Sequence, residues 1–331
     1  MLVRLKAPRT QRRADDRAAV ADRNLRGVKL SAPLSRALAG VAALVLAAGA
    51  LLVPATTASA THSRTSRAVA TPSRPCGVPG ATRAYHHVVW ILLENVGYSV
   101  IGSSDAPYLN HLAAECGLAT NDVAATHPSL PNYIALTSGS PQGISDDNDP
   151  ASHPLNVPNI FAQLKGRWRS YAESMPTSCD KVSSGNYAAK HNPAVYYTNL
   201  GGTCARNDVA LPGKPSFAMP FTFVAPNICN DMHSCSVSTG DTWLKGFVPK
   251  VLSSPEYRSG SLVLVITFDE SDSSSTNQIP TVVLAPSVPR GLKVSAPLTH
   301  YSLLRTTEQI LHLPFIGGAR TARSMLGPFH L

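Results

Sequence analysis

The stretch HVVWILLEN, residues 87–95, decides the fold class, because an unbroken apolar run ends directly at an acid and an amide. A short run of this kind is typical of a strand that is buried on both faces, as strands are in a parallel sheet covered by helices. A second run, SLVLVITF at 261–268, stops at Asp269 and Glu270, and a third, PTVVLAP, spans 280–286. The chain therefore offers at least three buried strands.

Segments with helical character lie between and after these apolar runs, so strands and helices alternate along the chain. Alternation of this kind predicts an α/β domain with a mostly parallel sheet. The segment 171–225 is rich in Gly, Pro and Asn and is expected to consist mainly of loops. The helical segments are 106–116, 157–165, 241–252 with an interruption at Pro249, and 299–311 with Leu303, Leu304, Thr307, Ile310 and Leu311 on one face.

Two of the predicted strands end in pairs of oxygen-bearing side chains, Glu94-Asn95 and Asp269-Glu270. In open α/β sheets the ligand site lies outside the carboxyl ends of the strands. Carboxylate and amide oxygens suit a divalent cation. Either pair alone is also typical of a solvated loop or a helix cap, but two such pairs together predict a metal site.

The stretch THPSLPNYIALTSG, residues 126–139, places Ser129 between two prolines. Pro128 and Pro131 exclude a regular helix or a central strand at that point, and the apolar residues that follow have a helical period that ends at Gly139. Ser129 therefore lies at or just before a helix N-terminus. It is either an ordinary N-cap, or a nucleophile whose developing charge meets free backbone N–H groups and the positive end of the helix dipole.

Several histidines are candidates for the same site. Asp231 and His233 are two residues apart in a loop, and His300 precedes the last helix, so this trio fits a metal site or a phosphate clamp. His127 and His191 lie in polar loops bounded by proline, and one of the four histidines His127, His191, His233 and His300 is expected to act in proton transfer. The histidines expected to be structural are His86, His111, His153, His312 and His330.

The N-terminal 60 residues have the order of a secretory signal. Residues 1–36 are strongly basic, residues 37–53 are uncharged and apolar, and Ala58-Ser59-Ala60 provides small residues for cleavage. Residues 61–75 are rich in Ser, Thr, Arg and Pro and are expected to form a flexible linker, so that one catalytic domain would span 76–331. A retained transmembrane anchor remains the alternative, although the apolar run is short for a bilayer span.

The charge of the chain is concentrated in this leader. Residues 1–60 hold 10 of the 29 lysines and arginines and 3 of the 20 acidic residues, which leaves 19 basic and 17 acidic residues in the remainder. The formal net charge of +9 therefore describes mainly the leader. We expect no nucleic-acid partner for the mature domain, because its own charge is nearly balanced.

All six cysteines lie beyond the leader, and an even number in an exported chain favours disulfides. Their spacing contains no CxxC motif, which argues against a zinc knuckle. Of the pairings that six cysteines permit, sequential pairing is the working expectation: Cys76–Cys116, Cys179–Cys204 and Cys229–Cys235.

The chain resembles the bacterial phosphoesterase family that contains secreted acid phosphatases and non-specific phospholipases C, within the alkaline phosphatase superfamily. The matching pieces occur in the family's order and together cover roughly residues 85–316. The resemblance implies an alkaline-phosphatase-like three-layer sandwich with a mostly parallel central sheet. The pieces are HVVWILLENVGYS, THPSLPNYIALTSG, APNICNDMHS, VLVITFDES, IPTVVLAPS and THYSLLRTTEQILHLP.

The resemblance also implies roles for individual residues. In related acid phosphatases the Glu-Asn pair and the Asp-Glu pair bind the metal, and the nucleophile lies on a proline-rich turn before a helix. This selects Ser129 as the nucleophile and, by similarity of SLPN to the nucleotide pyrophosphatases, Asn132 as a donor to a phosphate oxygen. The expected metal ligands are Glu94, Asn95, Asp269 and Glu270, with Asp231, His233 and His300 as ligands of a second metal or of phosphate.

The sequence thus predicts an exported phosphomonoesterase of the acid phosphatase type that works through a phosphoserine intermediate. Its cofactor would be a divalent metal ion, namely Mg, Ca, Mn, Zn or Fe, and its substrate a small phosphate ester or a phospholipid headgroup such as a phosphoinositide. The mature form is expected to have no stable membrane span and to be secreted, or bound to the cell envelope if the leader is retained. A phospholipase C-type phosphodiesterase and a non-catalytic exported binding protein remain the alternatives.

Overall fold

The computed structural model of the protein describes residues 69–272 and 276–331. The expected leader at 1–60 lies outside these residues, as does the expected linker up to residue 68. All of the described residues belong to one compact unit of the chain. The division into leader, linker and catalytic domain stays a prediction.

The described part of the chain folds around a nine-stranded sheet, in which the order is β4-β3-β5-β1-β6-β7-β2-β8 and β9 pairs with β2. Only β7 runs antiparallel to its neighbours, β6 and β2. The three predicted strands are confirmed as β1, β6 and β7. The strands are β1 His87–Leu93, β2 Gly117–Val123, β3 Trp168–Ala172, β4 Asp208–Ala210, β5 Phe221–Ala225, β6 Leu262–Phe268, β7 Gln278–Leu284, β8 Leu292–Val294 and β9 Leu298–Thr299.

Helices cover both faces of this sheet. Successive side chains of a strand point to opposite faces, and every residue of β6 is buried, so a layer of structure lies on each side. The expected three-layer α/β architecture is therefore confirmed. The helices are α1 Pro107–Glu115, α2 Ser129–Ser138, α3 Ile160–Gln163, α4 Gly202–Asn207, α5 Val237–Leu252, α6 Pro255–Arg258 and α7 His300–Ile310.

The central strands β1 and β6 pair in parallel, with Leu93 opposite Phe268. This register places the residues after both strands at the same edge of the sheet. On β1, Trp90 is fully buried, makes an edge-to-face contact with Phe221 at 4.8 Å between ring centroids, and donates an indole hydrogen bond of 3.1 Å to Thr307 of α7. The core thus fixes the strand ends that carry the acid pairs.

Some boundaries differ from the sequence expectation. Helix α5 begins at Val237 rather than at 241, because the Ser236 side chain accepts the Thr239 N–H and caps the helix there, and Pro249 lies within it. The segment 171–225 is mainly loop, as expected, although it also contains β4, α4 and β5. These strands are only three and five residues long, too short for an alternating pattern to stand out.

Helix α2 ends at Gly139, as predicted, and there it packs closely on the C-terminal part of the chain. Gly139 has φ 76°, and its carbonyl accepts the Gly318 N–H at 2.7 Å. A Cβ on Gly139 would lie 2.6 Å from the carbonyl oxygen of Ile316. The glycine therefore permits a backbone contact that fixes the far end of α2.

Three disulfides confirm the expected sequential pairing, Cys76–Cys116, Cys179–Cys204 and Cys229–Cys235. The last of them closes a short loop that contains Asp231 and His233. Within residues 69–272 and 276–331, no helix is both long and apolar enough to cross a bilayer.

Candidate active site

The carboxyl ends of β1 and β6 meet at one edge of the sheet and bring the two acid pairs together. The Asp269 N–H bonds the Leu93 carbonyl at 3.0 Å, which continues the ladder by one step. Asp269 Oδ1 then accepts the Asn95 N–H at 3.0 Å. Asn95 has φ 53°, a left-handed conformation that asparagine adopts more readily than most residues. The predicted convergence of Glu94-Asn95 and Asp269-Glu270 is thus present.

Helix α2 brings Ser129 to this edge. Ser129 is the first residue of the helix rather than its cap, and no side chain caps α2. Its hydroxyl instead donates a hydrogen bond of 2.8 Å to Glu94 Oε2. The N-cap interpretation is therefore wrong, and the side chain is aimed at the acid cluster.

Asn132 holds the proline-rich turn before Ser129 in place. Its Oδ1 accepts the Thr126 N–H at 3.0 Å, and its Nδ2 lies 2.9 Å from the Thr126 carbonyl and 3.1 Å from the Pro128 carbonyl. The same Nδ2 contacts Glu270 Oε2 at 3.2 Å. Asn132 is fully buried. Its hydrogen-bonding groups are thus engaged within the protein, and its contact with the site runs through Glu270.

Tyr133 is a site residue that the sequence analysis missed. It follows Ser129 by four positions and so lies on the same face of α2, and its hydroxyl donates a 2.5 Å hydrogen bond to Glu94 Oε1. Glu94 therefore accepts hydrogen bonds from two residues of one helix face. The four-residue spacing was the available signal.

His191 lies beside this pair, on a single 3-10 turn at Ala189–His191. Its ring stacks on Tyr133, with centroids 5.3 Å apart, and its Nδ1 lies 2.9 Å from Asp231 Oδ2. Its Nε2 is buried and lies 3.3 Å from Glu94 Oε1, but this nitrogen makes no hydrogen bond to any described residue. A carboxylate on one ring nitrogen with the other left open is the arrangement found at metal-binding histidines.

Asp231 contacts both His191 and His233. Its Oδ2 contacts His191, and its Oδ1 accepts the His233 N–H at 2.8 Å. Glu173, which follows β3, anchors the same loop by accepting hydrogen bonds from Asn227 and Asn230 and from the Trp243 indole. Ligand atoms of Glu94, His191 and His233 all lie within 4.8 Å of one another and could hold an ion.

The expected trio of Asp231, His233 and His300 does not form. His300 is 1% exposed, its Nε2 lies 3.1 Å from the Phe268 carbonyl, and its Nδ1 accepts the Ala125 N–H at 3.4 Å. Burial lowers the pKa of His300 to about 4, so the ring is neutral near pH 7. His300 therefore connects the end of β6 to the turn before Ser129, and both its nitrogens are used.

Glu270 connects the cluster to His127. Glu270 Oε2 lies 2.7 Å from His127 Nδ1, and the His127 side chain is 45% exposed while that of Glu270 is 8% exposed. Burial raises the pKa of Glu270 to about 7; the nearby Asp147 adds to this effect, and Lys190 opposes it. His127 thus presents its other nitrogen toward the open side of the site.

The buried acids of the site raise one another's pKa values. Burial, followed by the charges of Asp269 and Asp231, raises the pKa of Glu94 well above its ordinary value. Burial and the charge of Glu270 raise the pKa of Asp269 to about 7. Asp269 Oδ2 is buried and has no hydrogen-bond partner in the described part of the chain. A bound divalent cation would relieve both the repulsion and the unpaired oxygen, so these residues fit a metal.

Lys190 and Asp147 are two further residues that sequence patterns did not reveal. Lys190 Nζ lies 2.8 Å from Asp147 Oδ2 and 3.3 Å from His233 Nε2. Asp147 Oδ1 accepts the N–H of Leu130, the residue directly after Ser129, at 2.9 Å. The position of Lys190 next to His191 was the only hint in the sequence.

Comparisons with known proteins agree with this geometry. Residues 95–314 match the sequence profile of the Phosphoesterase family. The chain belongs to this family. The matched segment contains the described site residues except Glu94, which directly precedes it. This phosphoesterase is accordingly a hydrolase of phosphate esters, and the family expected from the sequence is confirmed.

Curated relatives cover most of this phosphoesterase. It is 34% identical to the phosphatidylinositol-3-phosphatase of Mycobacterium tuberculosis, over 90% of this chain and 97% of the relative. It is 30% identical to the phosphate-repressible acid phosphatase of Penicillium chrysogenum, over 85% of this chain and 71% of the relative. Sequence likeness thus extends over nearly the whole length of the mycobacterial protein.

Solved structures share the fold of this phosphoesterase at low sequence identity. One is Ps i-CgsB in complex with k-i-k-neocarrahexaose, with a TM-score of 0.50, 12% identity, and coverage of 74% of this chain and 76% of that one. A protein in the alkaline phosphatase superfamily from Vibrio parahaemolyticus aligns less well, with a TM-score of 0.49, 13% identity, and coverage of 69% of this chain and 66% of that one. At this identity the likeness concerns the fold alone.

Proposed function

We propose that this phosphoesterase is an exported phosphomonoesterase that requires a divalent cation and works through a phosphoserine intermediate. The observation that carries the proposal is the Ser129 hydroxyl, 2.8 Å from Glu94 Oε2 within a cluster of buried acids. The names of the relatives, a phosphatidylinositol-3-phosphatase and an acid phosphatase, support a phosphate monoester as the substrate. Phosphoinositide headgroups belong to that class.

Glu94, Asn95, Asp269 and Glu270 would hold the cation, with His191 Nε2 as a nitrogen donor on the Glu94 side. When bound, the cation neutralises charge on the acids and on the phosphoryl group and lowers the pKa of a neighbouring hydroxyl. His233 could add a second nitrogen donor, whereas Asp231 would keep the two histidines in orientation. His300 has no place in this set, because backbone groups occupy both its nitrogens.

The reaction would begin with Ser129. Its hydrogen bond to Glu94 fixes Oγ and gives the hydroxyl proton an acceptor. Oγ forms a bond to phosphorus while the bond between phosphorus and the leaving alcohol breaks, which produces a phosphoseryl enzyme. Water then attacks the same phosphorus from the vacated side and releases inorganic phosphate and free Ser129.

His127 is the best placed of the four candidate histidines to move the proton of the leaving group. Its Nδ1 is held by Glu270 at 2.7 Å, and its ring is partly exposed, so the second nitrogen is accessible. His191 faces Asp231 and Glu94, and His300 is buried against the backbone. His127 would protonate the departing alcohol and later accept a proton from the attacking water.

Export is part of the proposal and is supported by two features. The basic and apolar leader precedes Ala58-Ser59-Ala60, and three disulfides are formed, as is usual for proteins of oxidising compartments. N-terminal sequencing of protein recovered from the culture medium would test it. A mature N-terminus close to residue 61 is expected, and retention of the full leader in the cell would contradict export.

The Ser129→Ala variant tests the chemical proposal. With p-nitrophenyl phosphate and a panel of Mg, Mn, Ca, Zn and Fe, turnover should fall on the order of 10³-fold or more, because the nucleophile is lost. The variant should keep the wild-type circular dichroism spectrum. The exposed Ser152→Ala serves as the matched control. Acid-quenched wild-type enzyme should carry one phosphoryl group on the Ser129 peptide, and near-normal turnover of Ser129→Ala would contradict the assignment.

A further inference from the structure

The phosphoryl oxygens need donors that the start of helix α2 does not supply. Pro131 has no N–H, and the Leu130 N–H is already bonded to Asp147 Oδ1 at 2.9 Å. Asn132 uses its amide within the turn and on Glu270. The usual anion-binding groups of a helix N-terminus are therefore largely occupied by the protein itself.

Lys190 is the group best placed to supply the missing donor. Among residues 69–272 and 276–331, it is the only lysine or arginine with an ion pair or hydrogen bond to a residue of the site. Its side chain is 19% exposed, so it is mostly buried but still partly accessible to solvent. Its ammonium group lies between two parts of the site, 2.8 Å from Asp147 Oδ2 and 3.3 Å from His233 Nε2.

Asp147 bridges the start of helix α2 and Lys190. One carboxylate oxygen accepts the Leu130 N–H, and the other accepts from Lys190 Nζ at 2.8 Å. A backbone N–H beside the nucleophile and an ammonium group are a combination that binds phosphate oxygens. Asp147 is about one-third exposed, and it lies on a loop, so it can move away without disturbing the sheet.

We propose that Lys190 binds a non-bridging oxygen of the substrate phosphate in exchange for Asp147, and that this contact favours monoesters over diesters. The inference rests on the proposed function above. A phosphate monoester is largely a dianion near pH 7, whereas a diester is a monoanion. A fixed positive charge therefore stabilises the bound monoester more strongly than the bound diester.

Replacement of Lys190 tests the contact. Lys190→Met should weaken inhibition by inorganic phosphate about 10- to 100-fold and lower kcat/KM for p-nitrophenyl phosphate by a similar factor, as expected for the loss of a charged hydrogen bond. For methyl p-nitrophenyl phosphate, which has the same leaving group, the loss should be about tenfold smaller. Lys190→Arg should recover most of the phosphate affinity. The exposed Lys181→Met is the matched control for charge.

Asp147→Asn provides a second test in which affinity is gained. The amide oxygen can still accept the Leu130 N–H. The negative charge of Asp147, which competes with phosphate for Lys190, is removed. Binding of inorganic phosphate, measured by calorimetry at equal metal content, should become several-fold tighter. Unchanged or weaker phosphate binding by this variant would overturn the exchange of Asp147 for phosphate. Because a folding defect does not tighten binding, the expected gain has no trivial explanation.

The possible outcomes separate this inference from the proposed function. If wild-type protein hydrolyses neither ester with any of the metals, the proposed function fails, whatever Lys190 does. If wild-type protein is active and Lys190→Met keeps both its phosphate affinity and its preference for the monoester, only the inference about Lys190 is overturned. Equal losses for both esters with unchanged phosphate binding would assign Lys190 a structural role and also overturn it.

Discussion

Asp241 and Asp269 are both buried aspartates, yet their surroundings differ. Asp241 of α5 accepts the Tyr108 and Leu109 N–H groups of the first turn of α1, at 2.9 and 2.8 Å, so each oxygen has a backbone donor. Asp269 has one such donor, Asn95, and its second oxygen has no partner among the described residues. Burial alone therefore does not identify a functional acid, whereas burial with unmet hydrogen bonding and like-charged neighbours does.

Replacing aspartate with asparagine should have opposite effects on stability at positions 269 and 241. Asp269→Asn is expected to lower phosphatase turnover on the order of 10²-fold or more, because it would remove a charged oxygen ligand of the proposed cation. The metal-free variant should nevertheless melt at a higher temperature than the metal-free wild type, since one of the mutually repelling charges is gone. Scanning calorimetry with chelator, together with the p-nitrophenyl phosphate assay, measures both effects. A lower melting temperature would contradict the interpretation of Asp269 as a strained site residue.

Asp241→Asn should leave turnover near the wild-type value and lower stability. An amide group has one acceptor oxygen, so one of the two buried N–H groups at the start of α1 would lose its partner, at a cost of about 1–3 kcal/mol. For a domain of this size each kcal/mol corresponds to a fall in melting temperature of about 2–4 °C. Urea unfolding of the metal-loaded protein provides the measurement. A loss of turnover comparable to that of Asp269→Asn would remove the distinction between the two aspartates.

The smallest expected effect is on the pH dependence of stability without metal. Asp269 and Glu270 have folded-state pKa values of about 7, above the ordinary value of about 4 in the unfolded chain. Between these values the folded protein binds more protons than the unfolded chain, so its stability rises as pH falls from 7 toward 5. Other buried acids, Asp122, Asp208 and Glu308, contribute with the same sign.

Comparing wild type with Asp269→Asn isolates the contribution of Asp269 to this pH dependence. A plot of stability against pH should have a shallower slope for the variant. Metal affinity should change in the opposite direction and weaken toward pH 5, because protons compete for the same oxygens. Chemical unfolding at several pH values with chelator, followed by metal titration, checks both trends. Equal slopes for the two proteins would show that Asp269 does not titrate in this range.

The part of the site that could be predicted lies where local sequence and sheet geometry are sufficient. Strands β1 and β6 are continuous apolar runs, and the rule that ligands bind at the carboxyl ends of strands then brings Glu94-Asn95 and Asp269-Glu270 together. The prolines on either side of Ser129 indicated that a helix begins there. These features depend on residues that are close in the chain and on one general property of parallel sheets.

The remainder depends on how distant loops pack, which no local pattern records. Lys190 meets Asp147 across 43 residues of sequence, and neither has a neighbouring motif that indicates the other. His300 was placed in a metal trio because it precedes a helix, but the sequence could not show that burial uses both its ring nitrogens. Asp231, expected as a ligand, hydrogen-bonds to His191 and to the backbone of His233, contacts that no local pattern indicated.

The most direct test of the account is the anomalous diffraction signal of manganese in a crystal of the mature protein loaded with Mn²⁺. The account predicts a peak at the carboxyl ends of β1 and β6, coordinated by Glu94 and Asp269 and adjacent to the Ser129 hydroxyl. No peak at that edge of the sheet, or a peak remote from Ser129, would contradict it.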